Sequence, residues 1–359
     1  MKKLSFLFLV LFWAQGAFAQ EKPLTQAEYV KMLYALQKDP GQKAEIIQAL
    51  RKRGIDFVVT DGLRGLTSSK GANDEELKHA LEEANRRHAN PEAAKMPTPK
   101  DAADVLEKAR ANTLAALEDM PDFVVKQIIT RSASYAGTGN WKPLDNVIIA
   151  VSYSTEKGEQ YKVLALNGAP VELEKGGDYS NLPGSTTGGE FVEALSKLFR
   201  PASKTRFEVV TTDTIRDRAC LVFEYEILLE NNKNGGVGFK TPSGPKDFTF
   251  TSVPAGERGR VWIDRKDSRI LRVSFQATDI PKDFQVRAYE STIDYDWVAI
   301  ADEKFLLPVL SDDKFTSAEG GKMFQARNLI RFKNYQRYGT EVKILDDDVR
   351  PEPETKKPN

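Results

Sequence analysis

Hydrophobic positions recur along this chain with two different periods. Up to about residue 88 the period is helical. Tyr29, Met32, Leu33 and Leu36 follow one another at helical steps, the stripe that an amphipathic helix buries. Thr25 and Glu28 stand just ahead of it in capping-box spacing. A second stripe, Ile46, Ile47 and Leu50, stops at Gly54, which suits a helix C-terminus because glycine accepts left-handed backbone. Asn73 with Glu76 predicts the cap of a later helix carrying Leu77 and Leu81. Residues 20–89 therefore read as a small helical domain of three or four short helices. Its core is too small for more than marginal stability alone. Pro91, Pro97 and Pro99, set among alanines and charges, mark residues 90–100 as a linker. Val105, Leu106, Ala109, Leu114 and Leu117 then predict a helix over about residues 101–120, stopped by Pro121.

From Phe123 onward the period becomes two. Leu271, Val273, Phe275 and Ala277 alternate with Arg272, Ser274 and Gln276, and Leu221, Phe223, Tyr225, Ile227 and Leu229 make another apolar face, set against Glu224 and Glu226. Similar runs near residues 123–131, 147–153, 161–166, 207–211, 258–263, 284–298, 305–310 and 324–335 bring the number of strands to about ten, in meander order. A sheet of that size must curl, close or be covered on its apolar face. The helix before Pro121 and a second one over residues 189–199, with Phe191, Leu195 and Leu198, are the available covers. The fold class is thus α+β: an N-terminal small helical bundle plus a large curved antiparallel sheet, an incomplete β-barrel, with covering helices. Residues 101–345 form the barrel domain. Residues 346–359, rich in proline and charge, read as a disordered tail.

Charge and targeting narrow the setting. The 359 residues carry 52 basic and 52 acidic side chains, so no global positive charge is available to grip nucleic acid. Lys2 and Lys3, a short apolar run over residues 4–13 and Ala17-Phe18-Ala19 have the form of a signal peptide over residues 1–19, cleaved after Ala19. The expected location is periplasmic or secreted, with no stable transmembrane segment after cleavage. No cysteine follows the apolar run, which excludes a lipoprotein anchor. The single cysteine, Cys220, also excludes an internal disulfide framework.

The chemical inventory is poor. His79 and His88 lie on a charged helix and read as exposed. No histidine lies in the sheet region, so a Ser-His-Asp or Cys-His arrangement is excluded there. Cys220 reads as a small packed residue. Asp294 and Asp296 share one strand face. They read either as a solvated outer face, with Tyr295 and Trp297 pointing inward, or as a carboxylate pair holding a metal for hydrolysis. Asp264 is expected to start a tight turn through its side chain. The glycine runs 184–189 and 234–238 fit mobile loops at a cavity rim better than a phosphate cradle, although only the first precedes a helix. Ser311-Asp312-Asp313-Lys314 matches Ser-x-x-Lys without its companion motifs.

The order of signal peptide, helix, long strand over residues 123–131, meander, and Gly259-Arg260-Val261-Trp262-Ile263-Asp264 turning into Ile270-Leu271-Arg272-Val273 resembles the LolA-like group of periplasmic lipoprotein carriers and outer-membrane lipoprotein-sorting proteins. The resemblance covers residues 101–345. It implies an incomplete antiparallel barrel around a helical lid, with an apolar cavity for acyl chains. Phe305-Leu306-Leu307-Pro308-Val309 and Asn328-Leu329-Ile330-Arg331-Phe332 resemble uncharacterised secreted proteins of acidobacterial type. The added helical domain and an insertion over residues 231–244 depart from the group's pattern, and no carrier contact residue transfers to this chain.

These readings converge on a non-catalytic binding protein without cofactor or metal. Its partners would be lipid or lipoprotein acyl chains. Alternation nominates Phe123, Phe223, Tyr225, Trp262, Val273, Phe275, Tyr295 and Trp297 as cavity residues. The alternative is a cell-envelope interaction scaffold with a filled core, which would dock an envelope protein through its N-terminal helices.

Overall fold

The structure, a computed structural model, describes residues 22–171, 179, 182, 184–232, 235–242 and 248–338. The signal segment 1–19 and the tail 346–359 lie outside the described residues.

Four helices open the chain: α1 (Gln26–Lys38), α2 (Lys43–Arg53), α3 (Asp61–Lys70) and α4 (Glu75–Ala89). Both halves of the first capping box form. The Glu28 amide donates to Thr25 Oγ1 at 3.2 Å, and the Thr25 amide donates to Glu28 Oε2 at 2.9 Å. Gly54 closes α2 at φ 71°. Leu24, Tyr29, Leu33, Leu50 and Leu77 centre the core between these helices, and the Tyr29 hydroxyl meets Thr67 Oγ1 at 2.9 Å. The cap of α4 is Asp74 rather than Asn73: its Oδ1 accepts from the Leu77 amide at 2.9 Å. Asn73 adopts a left-handed φ of 57°, which asparagine tolerates. Its side-chain amide donates to the Gly139 carbonyl at 2.9 Å, tying the helices to the sheet.

The sheet strands are β1 (Phe123–Tyr135), β2 (Lys142–Ser154), β3 (Gly158–Leu166), β4 (Ala169–Pro170), β5 (Arg206–Ile215), β6 (Arg218–Ile227), β9 (Gly256–Asp264), β10 (Ile270–Thr278), β11 (Val286–Ile300), β12 (Glu303–Glu319) and β13 (Lys322–Arg337). They form one antiparallel sheet in the order β4-β3-β2-β1-β13-β12-β11-β10-β9-β6-β5. It does not close, and β4 and β5 are its edges. The β1–β13 pairing joins the first and last long strands, so the order is a meander with its start folded back beside its end. Asp264 makes the expected turn, its Oδ1 accepting from the amides of Lys266 and Asp267 at 2.7 and 2.8 Å. Where the glycines of 234–238 suggest a loop, the chain forms a separate hairpin of β7 (Gly236–Pro242) and β8 (Phe248–Pro254). Gly238 is needed there, because a Cβ would run into the Phe250 ring.

The two faces of the sheet are covered differently. Helix α5 (Pro99–Glu118) is capped by Thr98, whose Oγ1 accepts from the Asp101 amide at 3.2 Å. It lies with α6 (Glu193–Phe199) on the inner face, where Ala109, Leu198 and Phe199 pack with Leu221, Phe223 and Val261. A second cluster around Phe123, Val125, Ile149, Phe191 and Phe332 fills the other half of that face. The outer face carries α4 through charges. Arg260 meets Glu83 at 2.9 Å, and Arg86 meets Asp213 at 2.8 Å. Part of the 90–100 segment is pinned to the same side. Arg265 donates to the carbonyls of Ala93 and Lys95 at 3.3 and 3.0 Å, and Thr212 donates to that of Ala94 at 3.1 Å.

Candidate functional site

The structure separates the eight residues that alternation groups together. Phe223, Tyr225, Val273, Phe275 and Tyr295 share one inner-face cluster, and Phe123 lies in the other. Trp262 faces the opposite side, with Cys220, Val222 and Leu271. There its indole N–H donates to Asp213 Oδ2 at 2.9 Å, so it belongs to the seam with α4. Trp297 is 41% exposed at the strand end, beside Arg269. Only Phe275 of the eight lines the space that remains open on the inner face.

That space is an open-sided cavity of about 240 Å³ lined by β9, β10, β11, β12, α6, the segment 186–190 and the β7–β8 hairpin. Residue parity explains its make-up. On β11 and β12, Ile293, Ser291 and Tyr289 stand opposite Ser311, Asp313 and Phe315, and side chains two apart share a face. The wall is aromatic: Tyr289 stacks on Phe315 with ring centroids 4.6 Å apart, and Phe275 meets Tyr289 edge-on at 5.7 Å. On the side of α6, Lys197 is ion-paired with Glu257 and lies over the Phe275 ring. Glu257 also accepts from the Tyr225 hydroxyl at 2.7 Å.

Two buried acids face this cavity. Asp313 is 1% exposed; its oxygens accept from the Tyr289 hydroxyl at 3.1 Å and from the Ser311 hydroxyl at 2.9 Å. Glu190 is 3% exposed, and neither of its carboxyl oxygens meets a hydrogen-bond partner among the described residues. Burial pushes both acids above the usual carboxylate range, and the proximity of Asp313 adds to the rise at Glu190. An unpaired buried carboxyl is costly to keep. Sequence reasoning missed both residues. The available signal was a carboxylate at an inward strand position, Asp313, and a glutamate wedged between Gly189 and Phe191 at the mouth of an apolar helix.

The remaining candidates are accounted for structurally. Asp294 is not solvated; it is buried and held by Arg272 at 2.8 Å, while Asp296 pairs with Arg216 at 3.2 Å. The two carboxylates are thus committed to separate arginines. No group of three or more His, Cys, Asp or Glu is placed to hold a metal ion among the described residues. The Gly189 amide, at the end of the first glycine run, donates to Glu159 Oε2 at 3.1 Å, so the protein's own carboxylate occupies the anion position there. His79 and His88 are exposed on α4, and Cys220 is buried. No helix among the described residues is long and apolar enough to cross a membrane.

No protein-family model and no curated protein sequence matches the chain. Two solved structures are similar to it. One is a LolA superfamily protein from Nitrosomonas europaea, with 11% identity and a TM-score of 0.30, the match covering 70% of this chain and 97% of that one. The other is a DUF1329 family protein from Desulfovibrio piger, with 9% identity and a TM-score of 0.28, covering 66% of this chain and 95% of that one.

Proposed function

We propose that the protein is an exported, non-catalytic binding protein that holds a lipid or other acylated molecule by one apolar chain in the inner-face cavity. The observation that carries this reading is the cavity itself: an aromatic wall built by Phe275, Tyr289 and Phe315, left open where α5 and α6 fill the neighbouring face. Desolvation of the chain supplies the affinity, at ~0.8 kcal/mol per buried CH₂. The volume limits the cargo. About 240 Å³ is the space of roughly eight water molecules, which suits one short chain or the end of a longer one. Export rests on residues 1–19 and their cleavage after Ala19. The test is uptake of a fluorescent medium-chain fatty acid by delipidated protein. Saturable one-to-one binding supports the reading, and no uptake by folded protein overturns it.

A second reading, a cell-envelope scaffold, draws on the two apolar clusters that fill the rest of the inner face. In that case the N-terminal helical region, where Tyr34 and Val58 are exposed, is the docking surface.

A further inference from the structure

The cavity joins two features that a purely apolar pocket lacks. Glu190 is buried with both carboxyl oxygens unpartnered among the described residues, and Asp313, equally buried, lines the same space. The other charged groups lining it are Glu193 and Lys197 on α6 and Glu257 on β9. Lys197 is spent on Glu257, so the cavity holds four acids against one base and that base is already neutralised. A carboxylate or phosphate ligand entering here finds no free cation among the lining residues, and its charge favours the neutral form of two acids that burial already raises. A protonated amine meets the opposite: two acids lining the same space that can ionise against its charge, and ring faces on Tyr289, Phe315 and Phe275 that attract a cation.

We propose that the cavity selects an amphiphile carrying a primary amine, with the ammonium donating to Glu190 and Asp313 and the alkyl chain lying against Phe275 and Phe315. This rests on the binding-protein reading and names the chemical class of its ligand. The ammonium supplies the partner that Glu190 lacks, and it relieves the repulsion between the two acids once both are ionised.

The test compares three probes of equal chain length, octylamine, octanoate and octanol, by calorimetric titration into the delipidated mature chain at pH 7. Octylamine is expected to bind at least ~10-fold tighter than octanoate, the scale of one charge-assisted hydrogen bond. Glu190→Gln is expected to weaken octylamine binding far more than octanol binding, a differential that loss of structure does not produce. Octanol or octanoate binding as tightly as octylamine to the wild type overturns the proposal and leaves the binding-protein reading standing. The same holds for a preference unaltered by both Glu190→Gln and Asp313→Asn. Failure of all three probes to bind overturns both. The comparison on the wild-type chain needs no variant to fold.

Discussion

Arg260 on β9 and Glu83 on α4 form a two-oxygen ion pair, one guanidinium nitrogen lying 2.9 and 3.1 Å from the carboxylate oxygens, with both side chains buried. Arg51 approaches the same carboxylate at 3.7 Å. The helical module is thus seated on the sheet by charge in a place where charge is expensive. Removing one partner leaves the other buried and uncompensated. Glu83→Ala is expected to destabilise the folded chain by about 3–5 kcal/mol, whereas Glu83→Leu combined with Arg260→Met recovers most of the loss. Urea unfolding of the two variants checks this.

The same seam has an acid limit. Burial pushes the Glu83 carboxyl up, but Arg260 and Arg51 outweigh it and hold the group below its usual range. Stability from this pair is therefore present above the unfolded carboxylate value of ~4.5 and is lost as pH falls through the lower folded value. The loss below pH ~4 is expected to be smaller in the Leu/Met double variant than in the wild type, read from thermal midpoints across a pH series.

A chain beginning at residue 90 tests whether residues 20–89 form a separate domain. Asp213 accepts from both Arg86 and the Trp262 indole, so deletion strips the cover from Trp262 and leaves Asp213 without its arginine. The expected result is red-shifted tryptophan emission and a lower thermal midpoint than the mature chain. Unchanged emission and midpoint contradict a structural seam.

Local signals in the sequence were legible where the structure stayed local. Thr25 and Glu28 read correctly because a capping box is closed within four residues. Leu221, Phe223 and Tyr225 read correctly because their alternate positions face different surroundings. Trp262 did not, since Val261, Trp262 and Ile263 are all buried and period-two alternation loses its meaning when both faces of a strand are covered. The outer cover is the helical module, and nothing in β9 announces it. The same cover turned Asp294 from a solvated residue into a buried ion-pair partner. Asn73 and Asp74 are both good caps, and a contact 66 residues away, with Gly139, decides between them. Hairpin β7–β8 hid behind its glycines, which serve close packing of Gly236 against the Val253 backbone and of Gly238 against Phe250. The cavity acids were illegible as a pair because Glu190 and Asp313, far apart in sequence, line one space only in the folded chain.

Glu190 also leaves a signature without any ligand. Its raised value means the unfolded chain ionises first as pH rises past ~4.5, so the native state loses stability from there up to the folded value. Glu190→Gln removes the charge that burial penalises. The variant is expected to gain stability over the wild type from pH ~5 upward, and the difference is expected to vanish near pH 4. Paired denaturation curves at several pH values measure it.

Cys220 gives a simple check on the packing of the outer face. Burial pushes its thiol up to about 12, and nearby Asp213 and Asp264 add to the effect. The native protein is expected to resist a thiol-specific reagent at pH 8 and to react fully on unfolding, since the thiolate is the reactive form. Rapid labelling of the folded chain contradicts this packing.

The central claim is that the inner face keeps an occupied, ligand-sized opening between α6 and the β11–β12 wall. Native mass spectrometry of the protein isolated from its own cell envelope tests it most directly. The account expects one small amphiphile carried per chain and lost on organic extraction. A bare chain mass, with a polypeptide as the sole companion, contradicts it.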